Sequence, residues 1–125
     1  MHNNRRQFLL QAAALSSTAI VPFSVFGQSN WPNKPIKIVV PVPAGASLDN
    51  LARTIAKGLS EKLGQSVIVE NMAGGGSNIA FGYVAKAQPD GYTLLLGWDS
   101  LTINPSLYNA VPYRLDQFAP ITMAI

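Results

Sequence analysis

Cysteine is absent from the chain, and histidine occurs once, as His2. The first absence excludes disulfides, thiolate metal sites and a cysteine nucleophile. The second extends further, because His2 lies in a leader expected to be removed, so the mature chain can hold neither a histidine metal site nor a Ser/His/Asp triad. Charge is also scarce, at 12% of residues. The cations Lys34, Lys37, Arg53, Lys57, Lys62, Lys86 and Arg114 are scattered, with no cluster and no aromatic interleaving, so nucleic acid is not expected as a partner. Long apolar runs are missing as well. The most apolar stretch, Phe8 to Phe26, is broken by Gln11, by Ser16-Ser17-Thr18 and by Pro22, and falls short of the ~20 apolar residues that hold a helix in a bilayer.

What is present begins with Asn4-Arg5-Arg6-Gln7-Phe8-Leu9-Leu10, a basic start running into the apolar stretch, with Val25 and Gly27 in a cleavage frame. This resembles the twin-arginine form of a bacterial export signal; a general-secretory signal with a chance Arg-Arg pair and a retained anchor are the alternatives. Residues 1–27 are expected to be a signal peptide cleaved near Gly27, and residues 28–125 a periplasmic domain. Loss of Arg5 and Arg6 leaves seven cations against six acids, a net charge near +1 instead of +3. At the other end, Pro120 to Ile125 reads as an apolar strand with no polar tail. An unpaired apolar strand invites aggregation, so a truncated chain is expected.

Ile36-Lys37-Ile38-Val39-Val40, bounded by prolines, reads as a buried strand. After the loop Pro41 to Ala46, apolar residues at 48, 51, 52, 55, 56, 59 and 63 recur at helical spacing, with Ser47 as N-cap and Gly64 as the stop. The pattern then repeats with a strand over Ser66 to Glu70, a loop over Asn71 to Ser77 and a short helix from Asn78 to Ala87. The turn Pro89-Asp90-Gly91 leads into a strand over Tyr92 to Gly97, then a loop over Trp98 to Asn104, a helical turn around Pro105 and a final strand. Strands alternating with helices predict an α/β fold with a mostly parallel sheet covered on both faces. In such sheets ligands collect where strands end and helices begin.

Three loops meet that description, and they supply the candidate ligand-binding residues: Ala44, Gly45, Ala46, Ser47 and Asp49; Gly75, Gly76, Ser77 and Asn78; Trp98, Asp99 and Ser100. Gly74-Gly75-Gly76-Ser77-Asn78 follows a strand and opens a helix, so its amides suit a small anion or carboxylate. It is not a dinucleotide fingerprint, since the sixth position is Ile79, and no Walker lysine follows. A plain packing turn is the competing reading. Asp49 and Asp99 are the one pair of acids on loops of the same sheet edge, and either also suits a bland position, at a helix start or facing solvent. Pro89-Asp90-Gly91-Tyr92 is turn chemistry, and Trp31 and Tyr113 read as packing.

Taken in order, several segments resemble the Bug family, the periplasmic solute receptors of tripartite tricarboxylate transporters. They are Pro41 to Asp49 with Leu51-Ala52-Arg53, Val69-Glu70-Asn71 with Ala73 to Ile79, Ala85-Lys86-Ala87 with Pro89 to Leu95, Ile103 to Tyr108, and Phe118 to Thr122. The resemblance implies the first part of lobe one of a type II periplasmic-binding-protein-like fold, broken off before the second lobe. It also implies capture of a small organic solute, a carboxylate or zwitterion, for membrane permease subunits, with no cofactor and no metal. The family's first loop usually reads Pro-Pro-Gly-Gly-Gly before a Thr-Asp step, where this chain has Ala44, Ala46, Ser47 and Leu48. Trp98-Asp99 adds bulk and charge where members carry small neutral residues, which widens the range of solutes to a zwitterion, an amide or an aromatic acid. A ligand-sensing subunit of a signalling system would share these residues. An envelope enzyme would need Asp49 and Asp99 in one cleft.

Overall fold

A computed structural model of the chain describes residues 30–124, and the leader read over residues 1–27 lies outside them. Three parallel strands, β1 (Ile36–Val40), β2 (Val67–Asn71) and β3 (Thr93–Leu95), form one sheet in the order β2-β1-β3. Ile38 of β1 stands opposite Val69 of β2 and Leu94 of β3. Helix α1 (Ser47–Leu63) connects β1 to β2, α2 (Asn78–Ala85) connects β2 to β3, and α3 (Ser100–Leu107) follows β3. Short 3-10 turns cover Gly75–Ser77 and Leu115–Gln117.

Strand alternation sorts the core into two sides. Ile38 and Val40 pack with Val42 and with Ala52 and Ala56 of α1, flanked by Val67, Val69, Leu94 and Leu96. On the other side, α2 packs against β1 and β3. Its Phe81 is fully buried and meets Tyr113 edge to face at 5.5 Å, and Tyr113 in turn meets Phe118 at 5.9 Å. Burying a side chain of that size stabilises by about 2–3 kcal/mol. Helices thus cover both faces, although β2 is only half-buried. Leu51, placed by its spacing on the apolar stripe, faces solvent instead, because the small Ala52 and Ala56 bring α1 down onto the sheet.

The start of α1 differs from expectation. Ala46, in extended conformation, is the N-cap, and Ser47 is the first helical residue. Asp49, at the third helical position, reaches back to the Gly45 N–H at 2.8 Å, much as the acid of a capping box does. Gly64 closes the helix at φ 64°, its N–H donating to the Ser60 carbonyl.

The segment after β3 is the largest departure. A helix runs from Ser100 to Leu107 with Pro105 inside it, where the sequence pointed to a loop reaching Asn104. Proline there removes the N–H that would bond the Leu101 carbonyl four residues back. That carbonyl instead accepts the Tyr113 hydroxyl at 2.8 Å, so the helix survives its proline. The strand expected over Pro120 to Ile125 is not formed by residues 120–124, which pair with no neighbour; Ile121 and Met123 are exposed.

The lead segment is clasped to the turn before β3. The Trp31 and Tyr92 rings lie 5.9 Å apart, the Asn33 N–H donates to the Tyr92 hydroxyl at 2.9 Å, and Lys34 both pairs with Asp90 at 3.0 Å and sits 4.2 Å over the Tyr92 ring. The packing role read for Trp31 and Tyr113 is what the structure shows.

Candidate functional site

Because the strands are parallel, the three connections leaving them emerge at one edge. The chain passes from β1 outward to β2, then back across β1 to β3, so the strand order reverses between β1 and β3. Right-handed crossovers then put α1 and α2 on opposite faces and leave a crevice at the reversal. Residues 41–46 and 96–99 flank it, and residues 72–77 lie beside them.

Two hydrogen-bonded knots shape this edge. The first joins the loops after β1 and β2 through Asp49, which is 2% exposed. Its carboxylate accepts from the Gly45 N–H at 2.8 Å, Arg53 Nε at 3.0 Å and Asn71 Nδ2 at 2.9 Å. Asn71 also donates to the Val42 carbonyl, and Arg53 donates to Asn71 Oδ1. The Arg53 guanidinium first, then the Gly45 N–H and the Asn71 amide, hold the Asp49 carboxyl down at about 2. A carboxylate so saturated is a poor proton acceptor. The Gly45 N–H is likewise already taken.

The second knot joins the loops after β2 and β3. Gly74, Gly75, Gly76 and Ser77 have φ of 125°, 56°, 61° and 77°, an unbroken run of positive φ in which Gly74 is extended at ψ 163° and Gly76 and Ser77 are left-handed. L-residues visit this region one at a time at roughly 1–2 kcal/mol each, so the turn itself requires the glycines. Space adds to the requirement, since a Cβ on Gly76 would lie 2.2 Å from the Tyr108 hydroxyl. Ser77 is buried in this strained conformation, and its Oγ accepts from Trp98 Nε1 at 3.1 Å. Asn104, 4% exposed, donates from α3 to the Gly76 carbonyl at 2.7 Å and to Asn78 Oδ1 at 2.9 Å.

Among the remaining candidates, Ala44 and Ser47 are exposed and Ala46 is half-buried. Asp99 is exposed and caps α3 with its backbone, its carbonyl accepting from the Thr102 hydroxyl and the Ile103 N–H. Trp98 is half-exposed beside it. Ser100 Oγ is the one buried side-chain polar atom without a hydrogen-bond partner among the described residues. Asn71, Arg53, Asn104 and Tyr108 were not singled out from the sequence. The spacing of Asp49 and Arg53, four apart on a helix, was a legible signal for an ion pair.

Among the described residues no group of three His, Cys, Asp or Glu could hold a metal, and no helix is long and apolar enough to cross a membrane. A depression of about 480 Å³ lies at the opposite edge of the sheet, lined by Lys34, Tyr83, Lys86, Asp90, Tyr92 and Thr93. It is open and shares no residue with the three loops, and its Lys34 and Asp90 are already paired with each other.

The fold and its loop edge define an α/β lobe of the periplasmic-binding-protein type. Residues 51–124 match the profile of the tripartite tricarboxylate transporter family receptor. The chain belongs to that family. It is 43% identical over 96 residues to Protein BugT of Bordetella pertussis, covering 74% of this chain and 29% of BugT. Among solved structures it resembles R. palustris Rpa4515 with adipate (TM-score 0.64, 41% identity, 67% of this chain and 28% of that one). It also resembles MatC from Rhodopseudomonas palustris with bound malate (TM-score 0.50, 41% identity, 51% of this chain and 22% of that one). The chain spans less than a third of the length of the curated relatives it matches.

Proposed function

We propose that the protein is an exported, periplasmic receptor that captures a small organic acid or zwitterion at this loop edge and presents it to the permease subunits of a tripartite transporter. Residues 1–27 serve as the leader, and residues 28–125 form the first part of one of two lobes. The observation that carries the reading is the strand-order reversal, beside which α3 begins with a buried Ser100 hydroxyl that no group among the described residues uses. Malate and adipate, found with two of the similar structures, are both dicarboxylates and fit a site built from amides and hydroxyls.

Within the site, the amides of Ala44, Ser47, Gly75 and Gly76 and the side chains of Ser77, Asn78 and Ser100 are assigned to the solute, while the Ala46 N–H already donates to the Pro43 carbonyl at 3.3 Å. Trp98 offers an apolar face, and Asp99 selects for charge. Gly45 and Asp49 hold the first loop in shape and leave the solute to their neighbours. The saturation of Asp49 also weighs against an enzyme using Asp49 and Asp99, since the pair would lack its base.

Calorimetry with malate and with aspartate, its amine analogue, tests the reading in the full-length protein. A carboxylate about 4 Å from an ammonium is worth about 1 kcal/mol in water and up to about 4 kcal/mol near a protein surface, and solvent keeps an exposed acid toward the lower figure. Asp99→Asn is expected to weaken aspartate about tenfold and to leave malate unchanged or tighter. Equal affinities for both ligands before and after substitution would make Asp99 a solvated loop acid, and binding of neither ligand class by the wild type would remove the receptor assignment.

A further inference from the structure

The Gly74–Ser77 turn closes on itself through the Ser77 N–H to the Gly74 carbonyl at 3.0 Å and the Asn78 N–H to the Gly75 carbonyl, and at positive φ an L-residue such as Ser77 needs further support to stay there. Beyond those bonds, the turn Gly74–Ser77 is held by side chains of the segment that follows β3. Trp98 ties the Ser77 side chain, and Tyr108 fills the space that Gly76 leaves by lacking a Cβ. Both of these side chains are close to half-exposed, whereas Asn104 works from inside, at 4% exposure. Its amide meets the turn at a backbone carbonyl, Gly76 O at 2.7 Å, and braces the following helix at Asn78 Oδ1 at 2.9 Å. Fixing a carbonyl fixes the plane of its peptide. That peptide carries the Ser77 N–H, which donates to the Gly74 carbonyl at 3.0 Å, so Asn104 braces the hydrogen bond that closes the turn in which the Gly75 and Gly76 amides, assigned to the solute by the proposed function, are held.

We propose that Asn104 is a positioning residue for solute affinity, acting through the Gly74–Ser77 turn without touching the solute. This rests on the receptor reading for its effect on affinity, while its effect on the turn stands independently. Asn104→Asp keeps the size and removes the amide donor, placing a carboxylate against the Gly76 carbonyl. Loss of a buried donor of this kind loosens the turn, and the Trp98 indole, bonded to Ser77, reports it.

The experiment measures two quantities in the full-length protein. One is the dissociation constant for malate and adipate. The other is the nitrogen–proton resonance of the Trp98 indole, assigned by its disappearance in Trp98→Phe. Asn104→Asp is expected to shift the indole resonance and weaken dicarboxylate binding at least tenfold while cooperative unfolding is retained. Where that variant does not fold, Asn104→Ser, which leaves room for a water, carries the same expectation. An unmoved indole resonance overturns the proposal whether or not affinity falls, since Asn104 would then act directly on the solute or not at all. A shifted resonance with unchanged affinity overturns it too. If the wild type binds neither dicarboxylate while the resonance still shifts, the receptor reading fails and the hold of Asn104 on the turn is supported.

Discussion

Replacing Gly76 by alanine separates the conformational cost of the left-handed turn from its steric cost. At φ 61° the new side chain meets the penalty of that region, roughly 1–2 kcal/mol. Alanine recovers about 0.4–1 kcal/mol of this by stiffening the unfolded chain. The same arithmetic applies to Gly64→Ala at φ 64°, where no atom lies within 4 Å of the added Cβ, so that variant isolates the conformational term at about 1 kcal/mol. At Gly76 the Cβ would also lie 2.2 Å from Tyr108 Oη and 3.1 Å from its Cζ. Overpacking of that kind adds about 1–3 kcal/mol, for a total near 2–4 kcal/mol. Tyr108→Phe removes the offending oxygen and leaves the 3.1 Å contact, which a ring on an exposed helix end can relieve by a small rotation. Urea unfolding of the full-length protein, with m unchanged between variants, reads all four combinations. Gly76→Ala should cost more than Gly64→Ala, and the Tyr108→Phe background should recover about half the excess or more. Equal costs for the two glycines, or no recovery in the phenylalanine background, would refute the steric reasoning.

Acid titration of stability should single out Asp49. Its folded carboxyl lies at about 2 against an ordinary 3.8, so its contribution is complete above about 4 and is lost as pH falls toward 2. Asp90 and Asp116 are also lowered, by the Tyr92 N–H and Lys34 and by Arg114, so the informative quantity is the difference between wild type and Asp49→Asn. That difference should shrink across this window; parallel curves would show that Asp49 is not held down in the folded state. For export, Arg5→Lys with Arg6→Lys should stop transport of a fused reporter by the folded-protein route, and undiminished export in a strain lacking that route would identify a general-secretory leader.

Periodicity and punctuation carried β1, α1, β2 and the first two loops, because proline-bounded β-branched residues and a three-and-four spacing each correspond to one local geometry. Pro105 misled for a physical reason. A proline reads as a helix start or stop, and nothing local reveals that Tyr113, eight residues on, satisfies the carbonyl it orphans. The glycines of the second loop announced permissive backbone but not its hand, and nothing about serine signals that Ser77 would share it. Asp49 looked like a helix-start acid, and its burial depends on Asn71, which is distant in sequence. Asn104 shows the same limit: a lone amide between Ile103 and Pro105 becomes legible only once α3 is seen against Gly76.

The clasp formed by Trp31, Asn33 and Lys34 on the turn before β3 decides from which end the domain is held. Residue 30 joins the molecule at the amino-terminal edge of a parallel sheet, while the three loops open at the carboxyl-terminal edge, the length of a five-residue strand away, about 15 Å. Whatever is attached ahead of residue 30, a leader still in place or a tether to a surface, therefore pulls from behind the loop edge. The load falls on aromatic stacking and the Lys34–Asp90 pair instead of on the loops, so the crevice can face open solvent while the other end of the domain is anchored.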